Sequence, residues 1–441
     1  MGNDTIAAIA TPQGVGGIAV VRLSGPEAGA IALAHLSAGE LPPRRAVYCR
    51  FGDLDDVVAT RFPAPASYTG EDTVEISCHG SLFVQHALLQ ALLDSGARLA
   101  EAGEFTLRAF RNGKLNLSQV EAVADLIDAV SPAQHRLAVS QLRGGYARRL
   151  QELRAQLVEL AALLELELDF SQEDVEFASR SRLGHLLDQV LDQVEGLISS
   201  FALGNALRRG VAVAIAGQPN VGKSSLLNAL LGDDRAIVSP VAGTTRDTVE
   251  DAIQISGVLF RFIDTAGLRQ SADSIESLGI ERSRRAVDGA DIVLYVHDAT
   301  CPWVSPLVDL DGKQAIVVFN KCDCPDAAPA AGSPLEGHAA VRVSARTGMG
   351  LDGLREAMLH LVGSAPDGHN GVLLSNARHY QAMLQVRKAV AAVKSGLAAG
   401  MPSDLVAVDL RDALYHIGTI TGEVTSQEIL SSIFSRFCIG K

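Results

Sequence analysis

The rhythm of hydrophobic and polar positions changes three times along the chain. Over residues 1–117 short apolar runs, at residues 5–10, 17–23 and 73–78 among others, alternate with Gly and Pro, which predicts an α+β domain there. From residue 117 to 203 proline is nearly absent. Leu150, Leu153, Leu157, Leu160 and Leu164 recur three or four positions apart with charges between them, which gives each helix one apolar face and predicts long amphipathic helices.

Strand-length apolar runs then alternate with helical spacing at residues 212–216, 260–263, 292–296, 315–319 and 341–343, most of them running into a polar turn. That is the doubly wound α/β pattern, which binds ligands at the carboxyl ends of parallel strands. Helical spacing returns at residues 377–397, 404–416 and 425–434. Helices on both flanks predict that the α/β unit is inserted into an all-α domain, with boundaries at 1–117, 118–206, 207–365 and 366–441, the last part ending in FCIGK.

Composition narrows the function classes. A chain of 441 residues, 47% of them hydrophobic, exceeds one ordinary core and fits a multidomain soluble protein. Its net charge of −13 argues against a basic surface wrapping nucleic acid, so any RNA contact is local or shared with a partner. Arg143, Arg148, Arg149 and Arg154 form a basic stripe that either meets RNA or solvates a helix. The six cysteines lack the repeated spacing of a zinc site, and neither a signal sequence nor a bilayer-length apolar run is present, so a cytoplasmic protein without membrane contact is expected.

Chemistry enters where the apolar strands end. Gly217 to Ser224 reads GQPNVGKS between a predicted strand and a predicted helix, the context in which a glycine loop and a helix N-terminus cradle phosphate. Lys223 should reach the β and γ phosphates, the Ser224 hydroxyl should ligate Mg2+, and Asn220, Val221, Gly222 and Ser225 complete the loop. Asp264, Thr265, Ala266 and Gly267 follow a strand, where the carboxylate can hold Mg2+ through water and a glycine amide can meet the γ phosphate. Asn320, Lys321 and Asp323 follow another; a carboxylate there accepts from the two N–H groups of guanine, which adenine cannot match, and so selects GTP over ATP. Ser344, Ala345 and Arg346 fit a base-supporting loop after the last strand.

Leu268 stands where such loops usually carry a water-orienting glutamine, and it cannot polarise water. Another group must do so. The Asn220 side-chain carbonyl could help hold a monovalent cation beside the phosphates. Glu276 could orient the nucleophile, although on chemistry alone it is one of several carboxylates in its stretch and equally suits a solvated surface.

Together with DTIAAIATPQGVGGIAVVRLSG at the start, SYTGEDTVEISCHG from Ser67, AGEFTLRAFRNGKLNLSQVEAVADLIDA from Ala102 and TGEVTSQEILSSIFSRFCIGK at the end, these motifs resemble the tRNA-modification GTPase MnmE (TrmE) family along the whole chain. The resemblance implies a folate-binding N-terminal domain that forms a homodimer, a helical domain built from both flanks, and a Ras-like P-loop GTPase domain between them. It implies a potassium-activated GTPase that works with the FAD-dependent partner MnmG (GidA) on C5 of the wobble uridine of tRNA, using a one-carbon unit from 5-formyl-tetrahydrofolate or a related tetrahydrofolate.

Residue by residue, the resemblance makes Asn220 the potassium-binding asparagine and places Ser239, Val241 and Thr244 around the same ion. It makes Thr245 a second Mg2+ hydroxyl and Glu276 the catalytic glutamate. Arg22, Glu75, Lys114 and Lys441 match folate positions, and Cys438 matches a cysteine implicated in the modification chemistry. Without it, Arg22 and Lys114 read as surface charges, Glu75 as a polar strand position and Cys438 as a small buried hydrophobe. A GTP-dependent switch for ribosome or RNA assembly, without folate chemistry, is the alternative reading. A cationic folate site and the terminal FCIGK argue against it.

Overall fold

The structure, a computed structural model, describes residues 4–169, 180–232, 251–263, 284–306, 309–310, 312–327, 335, 337–362, 372–435, 437 and 440. Residues 1–124, 142–150 and 417–441 make one compact unit, and residues 125–141 and 151–416 make another.

In the first unit, β1 (Ile6–Ile9), β2 (Ile18–Ser24), α1 (Ala28–His35), β3 (Val47–Phe51), β4 (Asp55–Phe62), β5 (Thr73–His79), α2 (Leu82–Asp94) and β6 (Arg98–Leu99) build a six-stranded sheet in the order β3-β4-β5-β2-β1-β6. Every pairing is antiparallel except β1 with β6. Alternation fixes the faces, since successive side chains of a strand point to opposite sides. Ala19, Val21 and Leu23 of β2 and Val74, Ile76 and Cys78 of β5 join Ala28, Ala32, Leu88 and Leu92 of α1 and α2 in one buried core. Arg22 and Glu75 therefore fall on the other face, where the β2–β5 register sets them opposite each other. Ile6, Ala8, Ala100 and Phe105 form a smaller cluster, Phe105 coming from α3 (Glu104–Arg111). Leu117 and Val120, at the start of α4 (Leu117–Asp128), pack with Ile433, Phe434 and Phe437.

α5 (Pro132–Leu142) and the long helices α6 (Gly145–Asp169) and α7 (Arg180–Ser199), which lie in the second unit apart from residues 142–150, lead through α8 (Phe201–Arg209) into the α/β part. The leucines chosen by spacing on α6, Leu150, Leu153, Leu157, Leu160 and Leu164, are all fully buried. The α/β part comprises β7 (Val211–Gly217), α9 (Lys223–Leu231), β8 (Asp251–Ile255), β9 (Val258–Phe262), β10 (Ile292–Asp298), β11 (Gln314–Asn320), β12 (Ala339–Arg342) and α10 (Leu351–Val362). Its sheet runs β12-β11-β10-β7-β9-β8, parallel except for β8.

Phe260, Phe262, Leu226, Leu230 and Leu294 sit in its core. Truncating one such phenylalanine to alanine costs about 3–5 kcal/mol, through lost transfer energy and the cavity left behind. After the sheet, α11 (Ala377–Ala398) returns along α7, tied to it by Lys394–Asp188 and Arg387–Glu195 ion pairs, and α12 (Ser403–Thr421) follows; from residue 417 the chain, with α13 (Gln427–Phe434), belongs to the first unit. The predicted α+β part, helical part and inserted doubly wound part are thus present. Strands β3, β4, β6 and β8 were not among the predicted ones; β8 is a five-residue antiparallel edge strand.

Candidate functional site

Strand β7 is almost wholly buried, and its last residue, Gly217, lies beside Val296 of β10. Gly217 has φ 146°, and a Cβ there would stand 2.2 Å from the Val296 carbonyl oxygen, so only glycine fits the loop this close to the sheet. Gly222, at φ 94°, caps α9, and its Cβ would meet Asn320 Nδ2 at 2.3 Å. The first turn of α9 leaves backbone N–H groups without helical partners, the elements of an anion cradle. Ser224 and Ser225 stand exposed in that turn. Lys223 Nζ donates to the carbonyls of Gly217 at 2.9 Å and Gln218 at 2.7 Å, and burial holds its ammonium below the ordinary lysine value. A phosphate would give that ammonium a charged partner in place of two carbonyls.

Asn320 joins three loops. Its buried side chain donates from Nδ2 to the Val221 carbonyl at 2.9 Å, and its Oδ1 accepts from the Ala345 N–H at 3.0 Å. Asn220 has φ 62°, a left-handed conformation that asparagine tolerates better than most residues, and its carbonyl accepts from Lys321 Nζ at 3.0 Å. Lys321 also pairs with Asp298 Oδ2 at 2.6 Å. Burial opposes the Asp298 charge, yet bonds from Lys321 and Thr300 outweigh it and hold this carboxyl below the usual aspartate range. A bond from Ser344 and the Arg346 guanidinium, 2.8 Å away, hold the Asp323 carboxyl below the usual aspartate range. Ser344 is fully buried and its hydroxyl also accepts from the Thr347 N–H at 3.1 Å.

The structure thus brings together Asn220, Val221, Gly222, Lys223, Asn320, Lys321, Asp323, Ser344, Ala345 and Arg346, with Ser224 and Ser225 on the adjoining turn. Ser239, Val241, Thr244, Thr245, Asp264, Thr265, Ala266, Gly267, Leu268 and Glu276 lie outside the described residues.

On the N-terminal sheet, Arg22 pairs with Glu75 at 2.8 Å, and its guanidinium lies 5.6 Å from the ring centroids of both Tyr68 and Phe105. Tyr68 Oη shares a 2.9 Å hydrogen bond with Thr106 Oγ1, and Asn112 Nδ2 donates to the Thr69 carbonyl at 2.8 Å. Lys114 Nζ donates to the Pro65 carbonyl at 3.0 Å. Arg22 and Lys114 therefore lean on one loop, residues 65–70, with Glu75 held beside Arg22. The C-terminal end returns to the same unit: Phe437 is buried, and a Cβ on Gly440 would stand 2.2 Å from the Ile9 carbonyl at the end of β1. Cys438 and Lys441 lie outside the described residues.

A family model for the MnmE helical domain matches residues 117–438, and one for the GTP-binding protein TrmE N-terminus matches residues 5–114. A tRNA modification GTPase MnmE from Parabacteroides distasonis is 46% identical over 99% of this chain and 100% of its own length. The chain belongs to the MnmE (TrmE) family of tRNA modification GTPases. A relative of that name from Flavobacterium johnsoniae is 44% identical, covering 100% of this chain and 99% of its own, and one from Porphyromonas gingivalis is 45% identical over 100% and 98%. Among solved structures, the G domain of the T. maritima FeoB iron transporter is 26% identical and covers 34% of this chain and 98% of that one, with a TM-score of 0.24.

Two residues that sequence reasoning missed brace these loops. Asp298 braces Lys321, and its only sequence signal is its place at the end of a buried strand. Arg108, 9% exposed, pairs with Asp4 at 2.9 Å, Glu71 at 3.1 Å and Glu104 at 3.0 Å, and so ties α3 to the 65–72 segment. The i,i+4 spacing to Glu104 is visible in the sequence, but nothing local marks the pairs with Asp4 and Glu71.

Proposed function

We propose that this chain hydrolyses GTP to GDP and phosphate at the β7–α9 loop, and that turnover drives modification of C5 of the wobble uridine of tRNA. The observation that carries the reading is the Asn320 bridge between the phosphate loop and the base-supporting loop, in a chain whose N-terminal sheet also holds the Arg22–Glu75 pair.

Asp323 accepts from the guanine N–H groups, Lys223 meets the β and γ phosphates, and Gly222 with the α9 amides cradles them. The exposed Ser224 hydroxyl suits Mg2+, with Thr245 as second hydroxyl and Asp264 acting through water; bound there, the ion would neutralise charge on the phosphate oxygens. Asn220, with Ser239, Val241 and Thr244, is the set that would hold K+, whose charge would stand where other GTPases place an arginine. Glu276 orients the attacking water, a task Leu268 cannot perform.

Arg22, Glu75 and Lys114, with Lys441, fit a tetrahydrofolate: a carboxylate matches the donor edge of a pterin and cations match a glutamate tail. A folate there would supply the one-carbon unit, and Cys438 would serve the modification chemistry. The chain acts as a cytoplasmic homodimer together with the FAD-dependent partner MnmG. Among the described residues no helix is long and apolar enough to cross a membrane.

Separate substitution of Lys114 and Cys438 tests the coupling of the two chemistries. Each variant is expected to bind GTP and to lose wobble-uridine modification. Full modification by both would overturn the assignment.

A further inference from the structure

Arg208 lies in the last turn of α8, just before the strand that enters the phosphate loop. Its guanidinium forks onto Asp125 in the last turn of α4, Nε to Oδ2 at 2.6 Å and Nη2 to Oδ1 at 2.8 Å, and the two side chains are only 7% and 13% exposed. The Arg208 carbonyl accepts from Gln134 Nε2 at 3.1 Å, while Gln134 Oε1 accepts from the N–H groups of Val130 at 2.9 Å and Ser131 at 3.0 Å. One residue is thus held by its side chain to α4 and by its main chain to the start of α5.

The β8–β9 hairpin meets the same corner. A Cβ on Gly257, at its tip, would lie 3.6 Å from Ala133 Cβ and 3.6 Å from Arg136 Nη2, both on α5. In sequence the hairpin is flanked by residues 233–250 and 264–283, which contain Thr244, Thr245, Asp264 and Gly267. The α4–α5 corner therefore holds both the helix that feeds the phosphate loop and the hairpin that joins the two segments expected to sense the γ phosphate. The first turns of α4 carry Leu117 and Val120, packed on Phe434 and Phe437 shortly before Cys438.

A buried ion pair is a poor way to gain stability, because desolvation offsets most of the attraction, and leucines would anchor a domain as well. What a forked arginine–carboxylate pair adds is a single orientation. We infer that Arg208 is a positioning residue through which nucleotide state at the phosphate loop reaches α4, so that its pair with Asp125 couples GTP turnover to tRNA modification and touches the reacting atoms of neither. This rests on the tRNA-modification reading above.

The test uses the full chain with its partner, in cells lacking the native copy and after purification. Arg208→Lys keeps the charge and loses the fork; Arg208→Gln and Asp125→Asn lose the pair; Arg208→Asp with Asp125→Arg restores it reversed. Each single variant is expected to keep GTP kcat and KM within about threefold of wild type, while wobble-uridine modification falls by about tenfold or more, within the usual range of coupling energies. The reversed pair is expected to recover part of it. Unchanged modification in Arg208→Lys and Arg208→Gln would overturn the inference, as would GTP turnover falling in parallel with modification in the folded Arg208→Lys chain. A wild-type chain that restores no modified nucleoside counts against the tRNA reading itself, which separates the two failures.

Discussion

The side-chain amide of Asn320 donates to the backbone carbonyl of Val221 at 2.9 Å, across the gap between the 320–323 turn and the 217–223 loop. The two loops are therefore one mechanical unit. Replacing Asn320 with alanine strands the Val221 carbonyl and the Ala345 N–H, each left unpaired at about 1–3 kcal/mol. GTP affinity in Asn320→Ala is expected to fall by about tenfold to a hundredfold, read by calorimetry on the folded protein. Wild-type affinity would show that the bridge carries nothing.

Gly222→Ala attacks the same junction from the other side. Its Cβ would meet Asn320 Nδ2 at 2.3 Å, and alanine is strained at φ 94°. Strain of this kind costs about 1–3 kcal/mol, so nucleotide binding is expected to weaken by about tenfold or more and the thermal midpoint to fall. A variant that binds GTP normally would mean the loop relaxes without cost.

For hydrolysis, the two substitutes for the missing glutamine are separable. Glu276→Ala is expected to bind GTP with nearly unchanged affinity and to turn over about a hundredfold or more slowly, the pattern of a group acting in the transition state. Turnover in wild type is expected to be at least about tenfold faster in K+ than in Na+, and Asn220→Ala should abolish the difference. Equal rates in both salts would remove Asn220 from the mechanism.

Acid should loosen the N-terminal unit through Glu104. Burial acts against its charge, but bonds from Arg98, the Glu101 N–H and Arg108 outweigh it, so its carboxyl lies below the ordinary value of 4.5. A lowered carboxyl contributes stability that is complete above 4.5 and is lost as pH falls through the native value. The thermal midpoint is therefore expected to drop below that pH, and less steeply in Glu104→Gln; identical pH profiles would exclude Glu104 as a cause.

How much of this was legible in the sequence depends on how local each role is. The glycines and Lys223 of the phosphate loop and the Asn320, Lys321, Asp323 turn were readable because their chemistry is written within a few residues of a strand end. Leucine spacing on α6 was readable because helical period alone selects its buried face. By contrast, Asp298, Arg108 and Arg208 each also act through a partner far along the chain, Lys321 at 23 positions, Asp4 at 104 and Asp125 at 83, and no local pattern marks such pairs. Arg22 and Glu75 are intermediate: strand alternation permits them to share a face, but only the β2–β5 register puts them opposite.

The central claim is that GTP hydrolysis by this chain serves modification of the tRNA wobble uridine. Mass-spectrometric analysis of tRNA nucleosides from cells lacking the chain, with and without the wild-type or Glu276→Ala copy, tests it most directly. The account predicts wobble uridine without its C5 substituent in the deleted cells, restoration by the wild type and none by Glu276→Ala. A full complement of the modified nucleoside in the deleted cells, or its restoration by the hydrolysis-dead copy, would contradict it.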